Sequence, residues 1–130
     1  MAGASRARSV IVADDDADIR TLIAIAIERS GLELIDELSE GDSAWEAIEA
    51  FKPDMVVLDV AMPGKTGLEI TRLIRADASV SGIPVILLSA GVGDDSREAG
   101  LAAGATEYLT KPFSPRELAA TISALAAGLG

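Results

Sequence analysis

The chain has 130 residues, with 21 acidic side chains against 11 basic ones, a formal net charge of -10, and neither cysteine nor histidine. Without cysteine there is no disulfide framework and no thiolate metal site. Without histidine there are no imidazole ligands, no histidine-based triads and none of the commonest general base. The acidic balance also argues against direct binding of nucleic acid, whose phosphates call for a basic face. No apolar stretch approaches the ~20 residues of a membrane span.

A chain of this length is expected to form one domain. It would bury roughly two-thirds of the surface its unfolded chain exposes, enough for a core without staples. Residues 1–8 carry Arg6 and Arg8 but no signal-type apolar segment, and they read as a flexible tail on a soluble, cytoplasmic protein. The first strand is Ser9 to Ala13. Ile19, Leu22, Ile23, Ala26 and Ile27 then follow at helical spacing until Gly31.

Leu32 to Leu38 reads as a second strand. Asp42 to Phe51 reads as a helix with Ala44, Ala47, Ile48 and Phe51 on one stripe, closed by Pro53. Met55 to Val60 is apolar almost throughout, as a strand covered on both faces should be. Leu68, Ile70, Leu73 and Ile74 mark a third helix, followed by a polar loop from Asp77 to Gly82. Ile83 to Leu88, Asp94 to Ala103 and Thr106 to Thr110 continue as strand, helix and strand. The last helix opens at Ser114-Pro115-Arg116-Glu117, where Ser114 caps, Pro115 fits the first turn and Glu117 can complete a capping box.

Strand and helix alternating five times predict an open α/β sheet, because parallel strands need long right-handed crossovers. Ligands of such sheets bind at the carboxyl ends of the strands. Asp14 and Asp15, Asp59, Ser89 and Lys111 all stand where an apolar run ends. Three carboxylates, a hydroxyl and an ammonium on one edge are the inventory of a divalent-metal and phosphoryl site. Taken singly, each has a plainer reading. Asp16 and Asp18 are assigned to capping the first helix, where negative charge suits the macrodipole. Asp59 is harder to explain that way, since a carboxylate closing an apolar strand is costly without a partner.

In order, the chain carries Val12-Ala13-Asp14-Asp15-Asp16, Asp59 in Leu58-Asp59-Val60-Ala61-Met62-Pro63-Gly64, Ser89-Ala90, and Tyr108-Leu109-Thr110-Lys111-Pro112-Phe113. Together these resemble the receiver domain of bacterial two-component response regulators. The resemblance implies a single doubly wound, five-stranded parallel sheet with five helices, (βα)5 and flavodoxin-like, in strand order 2-1-3-4-5. The expected organisation is a receiver domain at 9–127 with a C-terminal tail at 128–130 and no output domain in this chain. The alternative is a receiver fragment of a longer regulator.

By the same resemblance, Asp59 is the phosphoacceptor. Asp14, Asp15 and Asp59 with the backbone carbonyl of Ala61 hold Mg²⁺, Mn²⁺ being possible, and Ser89 and Lys111 contact the phosphoryl oxygens. Ser89 and Tyr108 form the switch, and Lys111-Pro112 is the place for a cis peptide that aims the ammonium into the pocket. Such domains assist their own phosphorylation and dephosphorylation but are not enzymes acting on a separate substrate. The implied partners are a sensor histidine kinase or a histidine phosphotransfer protein and an unknown downstream protein, without nucleic acid or membrane.

Kinase choice is implied to lie largely on the first helix, with Arg20, Ile23 and Ile27 among the candidates. The crowded carboxylates should raise the pKa of at least one of them. Ser89 stands where threonine is more frequent, and Ala61 and Gly91 stand where family members tune phosphoryl lifetime. The alanines of the last helix and Thr106 do not support a dimer zipped by salt bridges.

Other phosphoryl chemistries fit less well. A haloacid-dehalogenase-type phosphatase needs a second aspartate where Ala61 stands, and a P-loop enzyme needs a glycine-rich cradle ending in Gly-Lys-Ser/Thr. A pseudo-receiver, binding partners without phosphorylation, shares the fold but would usually have lost one of the functional residues. None is lost here.

Overall fold

Apolar runs separated by helical stretches become five parallel strands in the computed structural model, which describes residues 8–90 and 94–128, apart from the side chains of residues 94 and 95. The expected tail through residue 7, Gly91 and residues 129–130 lie outside the described residues. The elements run β1 (Ser9–Ala13), α1 (Ala17–Arg29), β2 (Glu33–Leu38), α2 (Gly41–Phe51), β3 (Met55–Asp59), α3 (Gly67–Ala76), β4 (Val85–Ser89), α4 (Asp94–Ala103), β5 (Glu107–Thr110) and α5 (Pro115–Ala127). The sheet order is β2-β1-β3-β4-β5, with every neighbouring pair parallel. This is the expected doubly wound order, with the crossover between β1 and β3 at its switch point.

Because side chains alternate across a strand, the central strands feed two cores. Ile11, Val56, Leu58 and Leu87 pack with Ile48 of α2 and Ile70 and Ile74 of α3. Val10, Val12, Val57, Ile86 and Leu88 pack with Ile23 and Ile27 of α1 and Leu118 and Ile122 of α5. Every residue of β3 and β4 is buried. Each fully buried Ile or Leu stabilises the fold by roughly 1.5–3 kcal/mol relative to exposure. The central strands are therefore the most completely buried elements among the described residues. Among the described residues no helix is long and apolar enough to cross a membrane.

Three expectations change in detail. Phe51 does not share the buried stripe of Ala44, Ala47 and Ile48; it is 56% exposed at the last position of α2. The helix ends there because Lys52 turns into the left-handed region, φ 47°, while its N–H still bonds the Ile48 carbonyl. β4 begins at Val85 rather than Ile83, since Pro84 has no N–H to give the ladder and Ile83 N–H closes a turn onto Val80. The reciprocal capping box forms at α3, between Thr66 and Glu69, whereas at α5 it is the Ser114 half that is made, to the Glu117 N–H.

Arg75 ties the opposite edge of the sheet. Its guanidinium donates to the carbonyls of Ser81, Ile83 and Gly104 and to Thr106 Oγ1, clamping the loops that lead into β4 and β5. Burial lowers its pKa, yet the acceptors around it keep a use for the charge.

The left-handed cap is a place where the backbone carries strain. A residue with a Cβ costs about 1 kcal/mol there that glycine does not. Lys52→Gly is expected to raise stability by up to about that amount in urea unfolding, and Lys52→Val to lower it.

Candidate functional site

Register brings the strand ends level. Ala13 pairs with Leu58 and Asp59 with Leu88, so Asp14, one residue beyond β1, lies beside Asp59. Pairing continues past the strands, with Val60 N–H donating to the Leu88 carbonyl at 2.9 Å and Lys111 N–H to the Ser89 carbonyl at 2.7 Å. Asp59, Ser89 and Lys111 are thus fixed by backbone bonds rather than by loop chance.

The carboxylates of Asp14, Asp15 and Asp59 each offer an oxygen within 4.8 Å of the others. Asp14 is fully buried, Asp59 is 4% exposed and Asp15 faces solvent. The ammonium of Lys111 stands 2.9 Å from Asp14 Oδ2 and 3.3 Å from Asp59 Oδ2. The Lys111–Pro112 peptide is cis. Ser89, the last residue of β4, is 7% exposed at the same edge.

Charge in this pocket is unbalanced, three carboxylates against one ammonium. Burial, and then the Asp14 charge, push the Asp59 carboxyl from its ordinary 3.8 up to about 6, against the pull of Lys111 and the Ala61 N–H. Burial works against the Lys111 ammonium, but its close contact with Asp14 and the charges of Asp59 and Asp14 outweigh it and hold its pKa above the ordinary lysine value. Asp14 Oδ1 accepts from the Asp16 N–H at 2.9 Å. Asp14 Oδ2 is buried and meets Lys111 off the hydrogen-bonding direction. Hard oxygen donors, excess negative charge and a buried oxygen lacking an aligned donor are what a small divalent cation satisfies.

The loops on this edge are tied down by residues that sequence reasoning passed over. Gly67, at the start of α3, packs on the backbone of Asp59, and a Cβ there would meet the Asp59 carbonyl oxygen. Its N–H bonds the Val60 carbonyl at 3.0 Å. The loop after β3 is also held at Gly41, whose N–H reaches the Pro63 carbonyl at 2.8 Å, and by Lys65 on Asp42 at 2.8 Å. Asp16 caps α1 as expected, accepting from the N–H groups of Asp18 and Ile19.

Two expectations about α1 need correction. Ile23 and Ile27 are fully buried in the core and offer nothing to a partner; Leu22 and Ile25 are the exposed apolar residues of this helix. Arg20 turns back toward the β1–α1 loop, donating to the Asp14 carbonyl at 2.7 Å and to Glu37 at 3.2 Å. A groove of about 430 Å³ lies between α1 and α5, lined by Ile25, Arg29, Pro115 and Arg116 among others, apart from the acidic cluster.

Tyr108 sits in β5 opposite Leu87, 4% exposed, and its buried hydroxyl finds no hydrogen-bond partner among the described residues. Its ring lies over Gly100 of α4, where a Cβ would come within 2.8 Å of Cδ2. The absence of a side chain at Gly100 is what leaves room for the ring.

The chain is 40% identical over 118 residues to the phosphate regulon transcriptional regulatory protein PhoB of Pseudomonas aeruginosa, covering 91% of this chain and 51% of that protein. It is 35% identical over 115 residues to the DNA-binding response regulator MtrA of Mycobacterium leprae, covering 88% of this chain and 49% of that protein. The chain thus spans about half the length of these curated relatives. Its fold superposes on the chemotaxis response regulator CheY4 of Vibrio cholerae with a TM-score of 0.84 at 27% identity, covering 92% of this chain and 99% of that one. The family model of the response regulator receiver domain matches residues 10–123, and the chain belongs to that family.

Proposed function

We propose that the chain is a phosphorylation-controlled signalling switch whose phosphoacceptor is Asp59. The observation that carries this is the setting of Asp59: a strand-end carboxylate, 4% exposed, with two carboxylates within reach of a common cation and an ammonium 3.3 Å away. An Asp59 oxygen attacks the phosphorus of a phosphohistidine or of a small acyl phosphate. The new O–P bond forms as the donor's N–P or O–P bond breaks, and the electron pair of that bond leaves with the donor. The attacking carboxylate has no proton to lose above pH about 6, so the step asks for no general base. That is why a chain without histidine can perform it.

Asp14, Asp15 and Asp59, with the Ala61 carbonyl, would hold Mg²⁺ or Mn²⁺, which neutralises carboxylate and phosphoryl oxygens when bound. Lys111 supplies the charge facing the phosphoryl group, and the Ser89 hydroxyl donates to it. The same groups serve the loss of the phosphoryl group to water, so the domain assists both its own phosphorylation and its own dephosphorylation.

The donor is a sensor histidine kinase or a histidine phosphotransfer protein, docking on α1 through Leu22 and Ile25. The output is a change of surface near Ser89 and Tyr108 read by a downstream protein. The domain does not grip nucleic acid directly, and it works in the cytoplasm. The switch is a population shift, with phosphoryl contacts made in one state and not in the other.

Acetyl phosphate with Mg²⁺ is expected to add one phosphoryl group to the wild-type protein and none to Asp59→Asn, read by intact-protein mass spectrometry. An undiminished adduct in the variant, or none in the wild type, contradicts the assignment.

The raised Asp59 pKa also sets a pH dependence. The folded protein binds the Asp59 proton more tightly than the unfolded chain, so this carboxyl favours folding most at low pH, and the benefit is lost as pH rises from 3.8 to about 6. Above that range, metal-free Asp59→Asn is expected to be more stable than wild type by on the order of 2 kcal/mol, with a flatter pH profile in urea unfolding. Equal stabilities at neutral pH would contradict the crowding.

Gly100→Ala places a methyl against the Tyr108 ring and is expected to drive the ring toward solvent. The readouts are tyrosine quenching by acrylamide and the response to beryllofluoride. Wild-type quenching in the variant would show that the ring does not depend on the hollow at Gly100.

A further inference from the structure

We propose that Arg20 is a positioning residue for the carboxylate pair, so that α1 sets how tightly the pocket takes a divalent cation. The inference rests on the metal-dependent reading of that pocket. Arg20 is half-buried, and its Nη1 donates to the Asp14 carbonyl at 2.7 Å while its Nε donates to Glu37 Oε1 at 3.2 Å. The carbonyl it holds belongs to the peptide that joins Asp14 to Asp15, the two cluster residues adjacent in the chain. A peptide is planar, so fixing that oxygen fixes the plane from which both side chains depart.

The other side of Asp14 is fixed as well. Its N–H donates to the Leu38 carbonyl at 3.1 Å, and its Oδ1 accepts from the Asp16 N–H at 2.9 Å. Glu37, next to Leu38 at the end of β2, anchors the guanidinium that holds the carbonyl. The β1–α1 loop is thereby strung between β2 and the second turn of α1. Arginine suits the task because its fork serves two acceptors at once in fixed directions.

Charge and position pull in opposite directions here, which makes the role measurable. Arg20 adds a positive charge near a cation site, so Coulomb's law alone has Arg20→Ala bind Mg²⁺ more tightly than wild type, with Arg20→Lys close to wild type. Positioning gives the reverse order: wild type tightest, Arg20→Lys weaker because one ammonium cannot serve both acceptors in the same geometry, and Arg20→Ala weakest. Losing groups that orient metal ligands typically costs ~10–100-fold in affinity. For Arg20→Ala the expected loss is about tenfold, the small end of that range, because the charge effect offsets part of it.

The experiment is calorimetric titration of Mg²⁺ into the metal-free wild type, Arg20→Lys and Arg20→Ala, with amide exchange of Asp16 as a second reading. Weaker binding in the order given, with faster exchange at Asp16 in Arg20→Ala, supports the role. Tighter or unchanged binding in Arg20→Ala overturns it while leaving the metal reading intact. A wild type that takes up no Mg²⁺ overturns both. If Arg20→Ala does not fold, Arg20→Lys decides, since it keeps the charge: weaker binding supports positioning, and wild-type affinity overturns it.

Discussion

Like charges crowded on the rim of a stiff sheet are the constraint from which the rest of this structure follows. Asp14 and Asp59 lie on the carboxyl edge of strands packed on both faces, and neither has solvent to screen it. Burying such groups is expensive unless they are paired, and a pair with one cation leaves the accounts uneven. Lys111 relieves part of the repulsion, and its raised pKa against the effect of burial measures how strongly the carboxylates hold it. The proton that Asp59 retains up to pH about 6 reflects its burial first, and then the Asp14 charge that Lys111 does not cancel. A structural ion pair would be balanced. This cluster keeps a standing demand for positive charge, which a cation would meet.

Crowding of this kind persists only if the chain cannot move away from it. The sheet prevents retreat on one side, because register places Asp14 beside Asp59 and packing on both faces forbids a slip. On the other side, the loops are held by their backbones. Leu38 and Arg20 grip the peptides flanking Asp14, Gly67 and Gly41 hold the loop after Asp59, and the Ser89 carbonyl holds Lys111. These contacts fix where the functional side chains begin, while their tips meet one another across the pocket. Phosphoryl transfer depends on placement within fractions of an ångström, so on the proposed function the backbone contacts are part of the chemistry.

What the sequence disclosed and what it concealed divide along physical lines. β1, β3 and β4 were legible because double burial leaves an unbroken apolar run, and the polar residues ending those runs announced the edge. Periodicity placed α1 and α2 but not every residue on them. It put Phe51 on a buried stripe, although the last position of a helix has no following turn to cover it. The family resemblance, in turn, offered Ile23 and Ile27 as partner contacts, although the spacing that identifies an amphipathic helix assigns them to the core. Leu22 was placed on the same apolar stripe yet is exposed, and Ile25 carried no signal of its own, since single exposed apolar residues are ordinary. Arg20 and Gly67 were illegible for a different reason. Each acts on a backbone group, a carbonyl oxygen in both cases, and backbone groups leave no mark on a sequence.

Tyr108 shows how the same edge can be sensitive without being weak. Its ring is buried favourably in the hollow over Gly100, but its hydroxyl is buried without a partner among the described residues. Stranding a hydroxyl costs about 1–3 kcal/mol, which offsets much of what burying the ring contributes. Inside and outside placements of this side chain are therefore closer in energy than burial of the ring alone would make them. Moving such a pair from 1:99 to 99:1 requires ~5.5 kcal/mol of differential interaction. On the proposed reading, a doubly charged phosphoryl group held by Lys111 and Ser89 acts close to Tyr108, because Ser89 lies in β4, the strand on which Tyr108 pairs with Leu87. A phenylalanine in the same hollow would lose the penalty and sit inside regardless of the pocket. On that proposal, the hydroxyl that the interior fails to satisfy leaves the balance open to the chemistry at the rim.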